Sequence, residues 1–253
     1  MKSLSKSLIL SALLMATLFA GCKKDDDDEI SSDALNKGVT TVWSEDSTIL
    51  ISVVDMGRGL SWATCNMGAN SPEQTGNFYA WAETEQKKEY TRVSYKWFKN
   101  GDFTNITKYC TQKNYAYLDR FDTVTVLKSS DDPATITLGS NWQTPSSNQF
   151  RELIKRSTRT WGTVNGVWGC LLTSEANGNS VFFPVTGLFD GNKISHTTIG
   201  FYWTRELNAS SPNKAYSLWV RCDGDLSDIE VTDTDRERGL QVRAVIKTKD
   251  VKK

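Results

Sequence analysis

An α+β fold is predicted for residues 48–248 by three observations: two helix signatures in mid-chain, short β-branched and aromatic runs after them, and no repeat at a fixed period. Helices that come mid-chain and strands that dominate afterwards do not alternate in the way that builds a parallel sheet. The first strand is expected at Thr48-Ile49-Leu50-Ile51-Ser52-Val53-Val54, a run suited to burial, with Gly57 and Gly59 breaking it. Asp132 as cap, Pro133 at the first position and Gly139 as stop mark a short helix. Thr144 and Pro145 open a second one in the same way, and Phe150, Leu153 and Ile154 give it one apolar face. Strands are then expected over 167–173 and 181–184, joined across the turn pair Asn177-Gly178, and over 200–204, 215–222 and 240–246.

The N-terminal residues read as an address. Lys2 and Lys6 precede an apolar stretch over 8–20, and the small residues Ala20-Gly21 precede Cys22. This is the layout of an export signal, and the stretch falls short of the about 20 apolar residues that span a bilayer. The run Leu18-Phe19-Ala20-Gly21-Cys22 resembles the lipobox of bacterial lipoproteins, which implies a signal peptide over 1–21 and a lipidated Cys22 as the mature N-terminus. Lys23-Lys24-Asp25-Asp26-Asp27-Asp28-Glu29 follows at once; like charges resist packing, so residues 22–47 are expected to form an acidic flexible tether. The same run resembles the tag of lipoproteins displayed on the outer face of the outer membrane, with the periplasmic face as the alternative. Residues 249–253 are expected to be a short tail.

Composition bounds the function classes. The formal net charge is +0, and no basic stripe stands out, which argues against nucleic acid as a partner. Nine Trp, eight Tyr and ten Phe are many for this length; they can fill the core of a loop-rich domain or stack on flat apolar faces such as sugar rings. Cys65, Cys110, Cys170 and Cys222 form an even set in an exported chain, so disulfides are expected, with three connectivities open.

Several ordered motifs carry a family resemblance. They are Val54-Asp55-Met56-Gly57, Trp62-Ala63-Thr64-Cys65-Asn66-Met67-Gly68-Ala69, Gly76-Asn77-Phe78-Tyr79-Ala80-Trp81-Ala82-Glu83-Thr84, Lys108-Tyr109-Cys110, Trp142-Gln143-Thr144-Pro145-Ser146, Phe182-Phe183-Pro184, Tyr202-Trp203-Thr204 and Gly239-Leu240-Gln241-Val242-Arg243-Ala244-Val245. Together they resemble the Fibrobacter succinogenes major paralogous domain, a module abundant in Bacteroides lipoproteins, over about residues 51–245. The resemblance implies a C-type-lectin-like fold, with small twisted antiparallel sheets and two helices supporting long loops. This chain departs from the family at Trp203-Thr204-Arg205-Glu206, where members often carry Trp-Ser-Ser, and in having Cys170 and Cys222 at strand positions. Their joint presence favours pairing Cys170 with Cys222 and Cys65 with Cys110, each closing a loop worth about 4 kcal/mol.

Catalytic signatures are missing. His196 is the single histidine, Gly59-Leu60-Ser61-Trp62-Ala63 fails the nucleophile-elbow pattern, and Gly57-Arg58-Gly59 is too short for a phosphate loop. The chain is therefore expected to be no enzyme and to need no cofactor, and the spacing matches no protein-built metal site. An acid-rich stretch over 223–235 could supply calcium with oxygen ligands, although its spacing does not match an EF-hand. The expected function is a lipid-anchored, surface-exposed binding domain that presents loops to a glycan or surface protein, with Trp203, Arg205, Trp219, Asp223, Asp225 and Asp228 as candidate ligand contacts. The alternative is a structural subunit of a fimbria or envelope complex. An enzyme related to the formylglycine-generating fold would need reactive thiols in a groove, so an exposed Cys170–Cys222 pair would support it and a buried one would count against it.

Overall fold

The computed structural model describes residues 28–223 and 226–251, and every structural statement concerns those. The chain enters through Glu29, whose carboxylate accepts from Thr163 Oγ1 at 2.5 Å and from the Asn165 amide at 2.9 Å. A short helix α1 (Ser32–Asn36) follows, capped by Ser31, and then strand β1 (Val39–Trp43). The tether expected over 22–47 is thus corrected for residues 28–47. Ile30 is buried against Val164, Leu171 and Phe182, with Ala34 and Leu35 packed on the same cluster, so these residues have apolar anchors that outweigh the charge repulsion upstream. Residues 22–27, Cys22 and the signal segment lie outside the described residues.

From β1 the chain runs antiparallel through β2 (Leu50–Asp55) and β3 (Leu60–Ala63), then through a long irregular stretch to α2 (Pro133–Leu138), β4 (Trp142–Gln143) and α3 (Ser147–Lys155). Next come β5 (Ser157–Val164), β6 (Val167–Ser174), β7 (Ser180–Pro184), β8 (Leu188–Asp190), β9 (Lys193–Ser195), β10 (Ile199–Leu207), β11 (Lys214–Asp223), β12 (Leu226–Asp235) and β13 (Val245–Lys247). They form a five-stranded sheet in the order β1-β2-β3-β13-β4, two three-stranded sheets, β5-β6-β7 and β10-β11-β12, and the hairpin β8-β9. All pairings within these sheets are antiparallel. The fold is mixed and sheet-rich, with few helices.

α2 follows its sequence signature residue for residue: Asp132 caps it, Pro133 opens it and Gly139 ends it. α3 starts two residues later than expected. Ser146 and Gln149 close a reciprocal capping box, the Ser146 side chain accepting from the Gln149 amide at 3.0 Å and the Gln149 side chain from the Ser146 amide at 2.6 Å. Thr144 instead serves the other helix, its Oγ1 donating to the Asp132 carboxylate at 2.7 Å. Asn177-Gly178 lies in the β6–β7 turn as expected. The β5–β6 hairpin turns on Asn165-Gly166, with φ of 50° and 75°, the left-handed pair that a two-residue turn requires.

Three expectations are corrected. The acid-rich stretch over 223–235 is not a loop, because Leu226–Asp235 pairs along its length with β11. The run over 240–246 is a strand only at Val245–Lys247, while Leu240 and Gln241 make single bridges to Tyr79 and Tyr202. The tail is not wholly free either, since Val251 packs against the core.

Most of the aromatic excess is interior. Trp81, Trp142, Trp203, Tyr79 and Tyr109 fill one core cluster, and Trp62, Phe150, Phe183 and Tyr202 fill a second. Ring edges meet ring faces in both, as at Trp81–Tyr109 and Phe183–Tyr202, with centroids 5.1 and 5.2 Å apart. Two arginines are wholly buried with them, Arg236 and Arg243. Arg236 donates to the carbonyls of Lys108, Tyr109 and Pro212 and to the Tyr95 hydroxyl, and lies 4.9 Å from the Trp81 ring. Arg243 reaches Asn66, Ala63 and Thr64 but leaves one nitrogen without a partner, and burial lowers its pKa.

Candidate ligand groove

Between the β2–β3 turn, α3 and β13 lies an open groove of about 640 Å³. Met56, Leu60, Trp62 and Leu153 make its apolar part; Arg58, Asn148, Gln149, Glu152, Arg156 and Lys247 supply the polar groups. The helix contributes through its period: Gln149, Glu152, Leu153 and Arg156 stand at spacings of three and four, which puts them on one face. The turn contributes through its backbone. The Asp55 side chain accepts from the Gly57 amide at 2.8 Å, and Gly57, Arg58 and Gly59 all take positive φ. For Arg58, at φ 60°, the left-handed conformation costs roughly 1–2 kcal/mol. β13 is fastened to the same turn, where the Thr248 amide donates to the Gly59 carbonyl at 2.9 Å, and this holds Lys247 beside it.

Charge on the groove is unbalanced. Arg58, Arg156 and Lys247 face one carboxylate, Glu152, which accepts from Arg156 Nε at 2.9 Å. That hydrogen bond, helped by the charges of Arg156, Lys155 and Arg58, holds Glu152 below its ordinary pKa. Arg58 and Lys247 make no ion pair among the described residues. Sequence reading missed this site. The face of α3 was legible, but the approach of Arg58 and Lys247 to it is tertiary.

The residues expected from sequence to bind a ligand are dispersed. Trp203 is 2 % exposed and its indole donates to the Tyr79 carbonyl at 2.7 Å, so its ligand role is corrected to a core role. Trp219 is half-buried, its indole shared between Ser217 and Thr234 at 3.0 Å each. The Arg205 guanidinium donates to Gln143 Oε1, beside the start of α3. Asp223 and Asp228 are exposed on the β11–β12 hairpin, and Asp225 lies outside the described residues. A neighbouring acid on β12 is already engaged: Asp233 accepts from Lys214 at 2.9 Å and from Asn208 at 2.8 Å. The acid-rich stretch that could supply calcium ligands is mostly paired strand, and among the described residues no three His, Cys, Asp or Glu gather into a metal site. His196 is exposed in the β9–β10 connection.

The cysteines expected to form disulfides stand in different surroundings. Cys65 stands half-buried on a separate cavity of about 300 Å³, while Cys110 is buried among Tyr95, Phe98 and Ile106. Cys170 and Cys222 pack as apolar side chains in one core cluster, and burial pushes the Cys170 thiol up to about 12. Labelling of the native chain with a thiol reagent is therefore expected to modify Cys65 well before Cys110, Cys170 or Cys222. Peptide mapping checks this; protection of Cys65 that is released only by reductant would support the disulfide expectation.

No protein-family model matches the chain, and no curated protein or solved structure matches it either. Among the described residues, no helix is long and apolar enough to cross a membrane.

Proposed function

We propose that this chain is a lipid-anchored, surface-displayed binding domain of C-type-lectin-like type that acts without catalysis, and that the groove beside α3 is its recognition site. The groove carries the reading: an apolar bed beneath convergent polar groups, set on a helix and a pinned turn, is the usual form of a small-ligand site. A glycan suits it, since exposed amide and guanidinium groups offer hydrogen bonds to hydroxyls above an aliphatic floor. Burial of Cys170 and Cys222 weighs against the thiol-based enzyme class. The lipid anchor and outer-membrane display rest on the Cys22 motif and the acidic run after it.

The assembly reading draws on a different feature. β1 is an edge strand without charge or proline, and Trp43 and Leu50, opposite each other in register, are 55 % and 52 % exposed. Such an edge lacks the usual protection against pairing with another strand.

A glycan array on the full chain in detergent tests the first reading. Asn148 is exposed on the groove, so Asn148→Trp is expected to block it and weaken any specific saccharide at least tenfold, with the melting temperature unchanged. Saccharide binding that Asn148→Trp leaves intact would remove the groove from the function. Absence of saccharide binding, with copies associating through a surface that Trp43→Lys disrupts, would favour assembly.

A further inference from the structure

We infer that the groove takes an acidic saccharide, a sugar bearing carboxylate or sulfate, an inference that rests on reading the groove as the recognition site. Charge complementarity selects the acid. Three cations and one carboxylate line the groove of a chain whose formal net charge is +0, so the excess is local. The carboxylate does not cancel it, because Glu152 accepts from Arg156 Nε, and the outer nitrogens of that guanidinium make no hydrogen bond among the described residues. Guanidinium groups present paired donors that match a planar carboxylate or a sulfate, and Lys247 adds a compact charge.

At the turn, Arg58 stands in the left-handed region between two glycines, Gly57 and Gly59. The amide groups of Arg58 and Gly59 have no acceptor within the described residues, so this lip of the groove offers two backbone donors beside the guanidinium. The rest of the lining selects a sugar. The Asn148 side chain, exposed and with no hydrogen bond among the described residues, can meet hydroxyl groups, while Leu60 and Leu153 give a ring face an apolar bed.

Calorimetry on the full chain in detergent tests this with trigalacturonic acid, its fully methyl-esterified form and a sulfated tetrasaccharide. At least one of the two acidic sugars is expected to bind. For trigalacturonic acid the ester, with the same sugar rings but no charge, should be at least tenfold weaker. Arg58→Gln and Lys247→Gln are each expected to weaken the acidic sugar about fivefold at low salt, with unchanged melting temperatures, and added salt should weaken the wild type more than either variant. The acidic class is overturned if neither acidic sugar binds, if acid and ester bind equally, if both Gln variants bind like wild type, or if anionic phospholipid vesicles are preferred to both sugars. A neutral saccharide that binds and is blocked by Asn148→Trp would overturn the acidic class while leaving the groove as the recognition site. Binding of an acidic sugar that survives Asn148→Trp would overturn the groove itself.

Discussion

Replacing Arg236 with methionine is expected to destabilise the fold by roughly 3–5 kcal/mol, because several buried acceptors lose their donor at once. Arg236 is 0 % exposed and makes no ion pair among the described residues. Its charge is met by the carbonyls of Lys108, Tyr109 and Pro212, by the Tyr95 hydroxyl and by the faces of Trp81 and Tyr95. These partners come from the long irregular stretch between β3 and α2, from the β10–β11 connection and from the core. One side chain thus ties together backbone that no sheet ladder holds. A lysine cannot replace it, since a single ammonium does not present a planar fork of donors. Arg236→Lys is therefore expected to recover less than half of the loss. Urea denaturation of both variants checks the expectation, and a methionine variant within 1 kcal/mol of wild type would contradict it.

The second large effect is expected at Trp203. Truncation to alanine removes a fully packed indole and takes one of two donors from the Tyr79 carbonyl, which keeps the Leu240 amide at 3.0 Å, for a loss of about 3–5 kcal/mol. Saccharide affinity of the fraction that remains folded should stay within twofold, because the residue does not line the groove. Thermal denaturation and calorimetry on the same preparation separate the two quantities. A Trp203→Ala protein of normal stability that had lost its ligand would return the residue to the binding face.

Local chemistry made part of this fold legible. Asp132, Pro133 and Gly139 encode α2 completely, because cap, first turn and stop each depend on a single residue's backbone preference. Asn177-Gly178 marked a hairpin for the same reason, and Asn165-Gly166 carries an equal signal for the unpredicted β5. What was misread involves side chains whose partners are distant in sequence. The acid-rich stretch offered oxygen ligands by composition, whereas β12 pairs with β11 and Lys214 and Asn208 engage Asp233. The run over 240–246 looked like one strand, yet its first half is spent on single bridges around the buried Arg243. Even cysteine count suggested cross-links, but count carries no information on burial, and Cys170 and Cys222 behave as small apolar residues. The groove was half visible as the 149, 152, 153, 156 face of α3; its cationic half joins through a turn and a strand end far away in the chain.

The fastening of Glu29 and Ile30 to β5 and its turn sets a mechanical limit on an anchored molecule. Acylation at Cys22 would leave only residues 23–28 between lipid and fold, and six residues reach at most about 20 Å when fully extended. Any pull on the ligand would load the chain through Thr163 and the β5–β6 turn, where the Glu29 carboxylate is clamped.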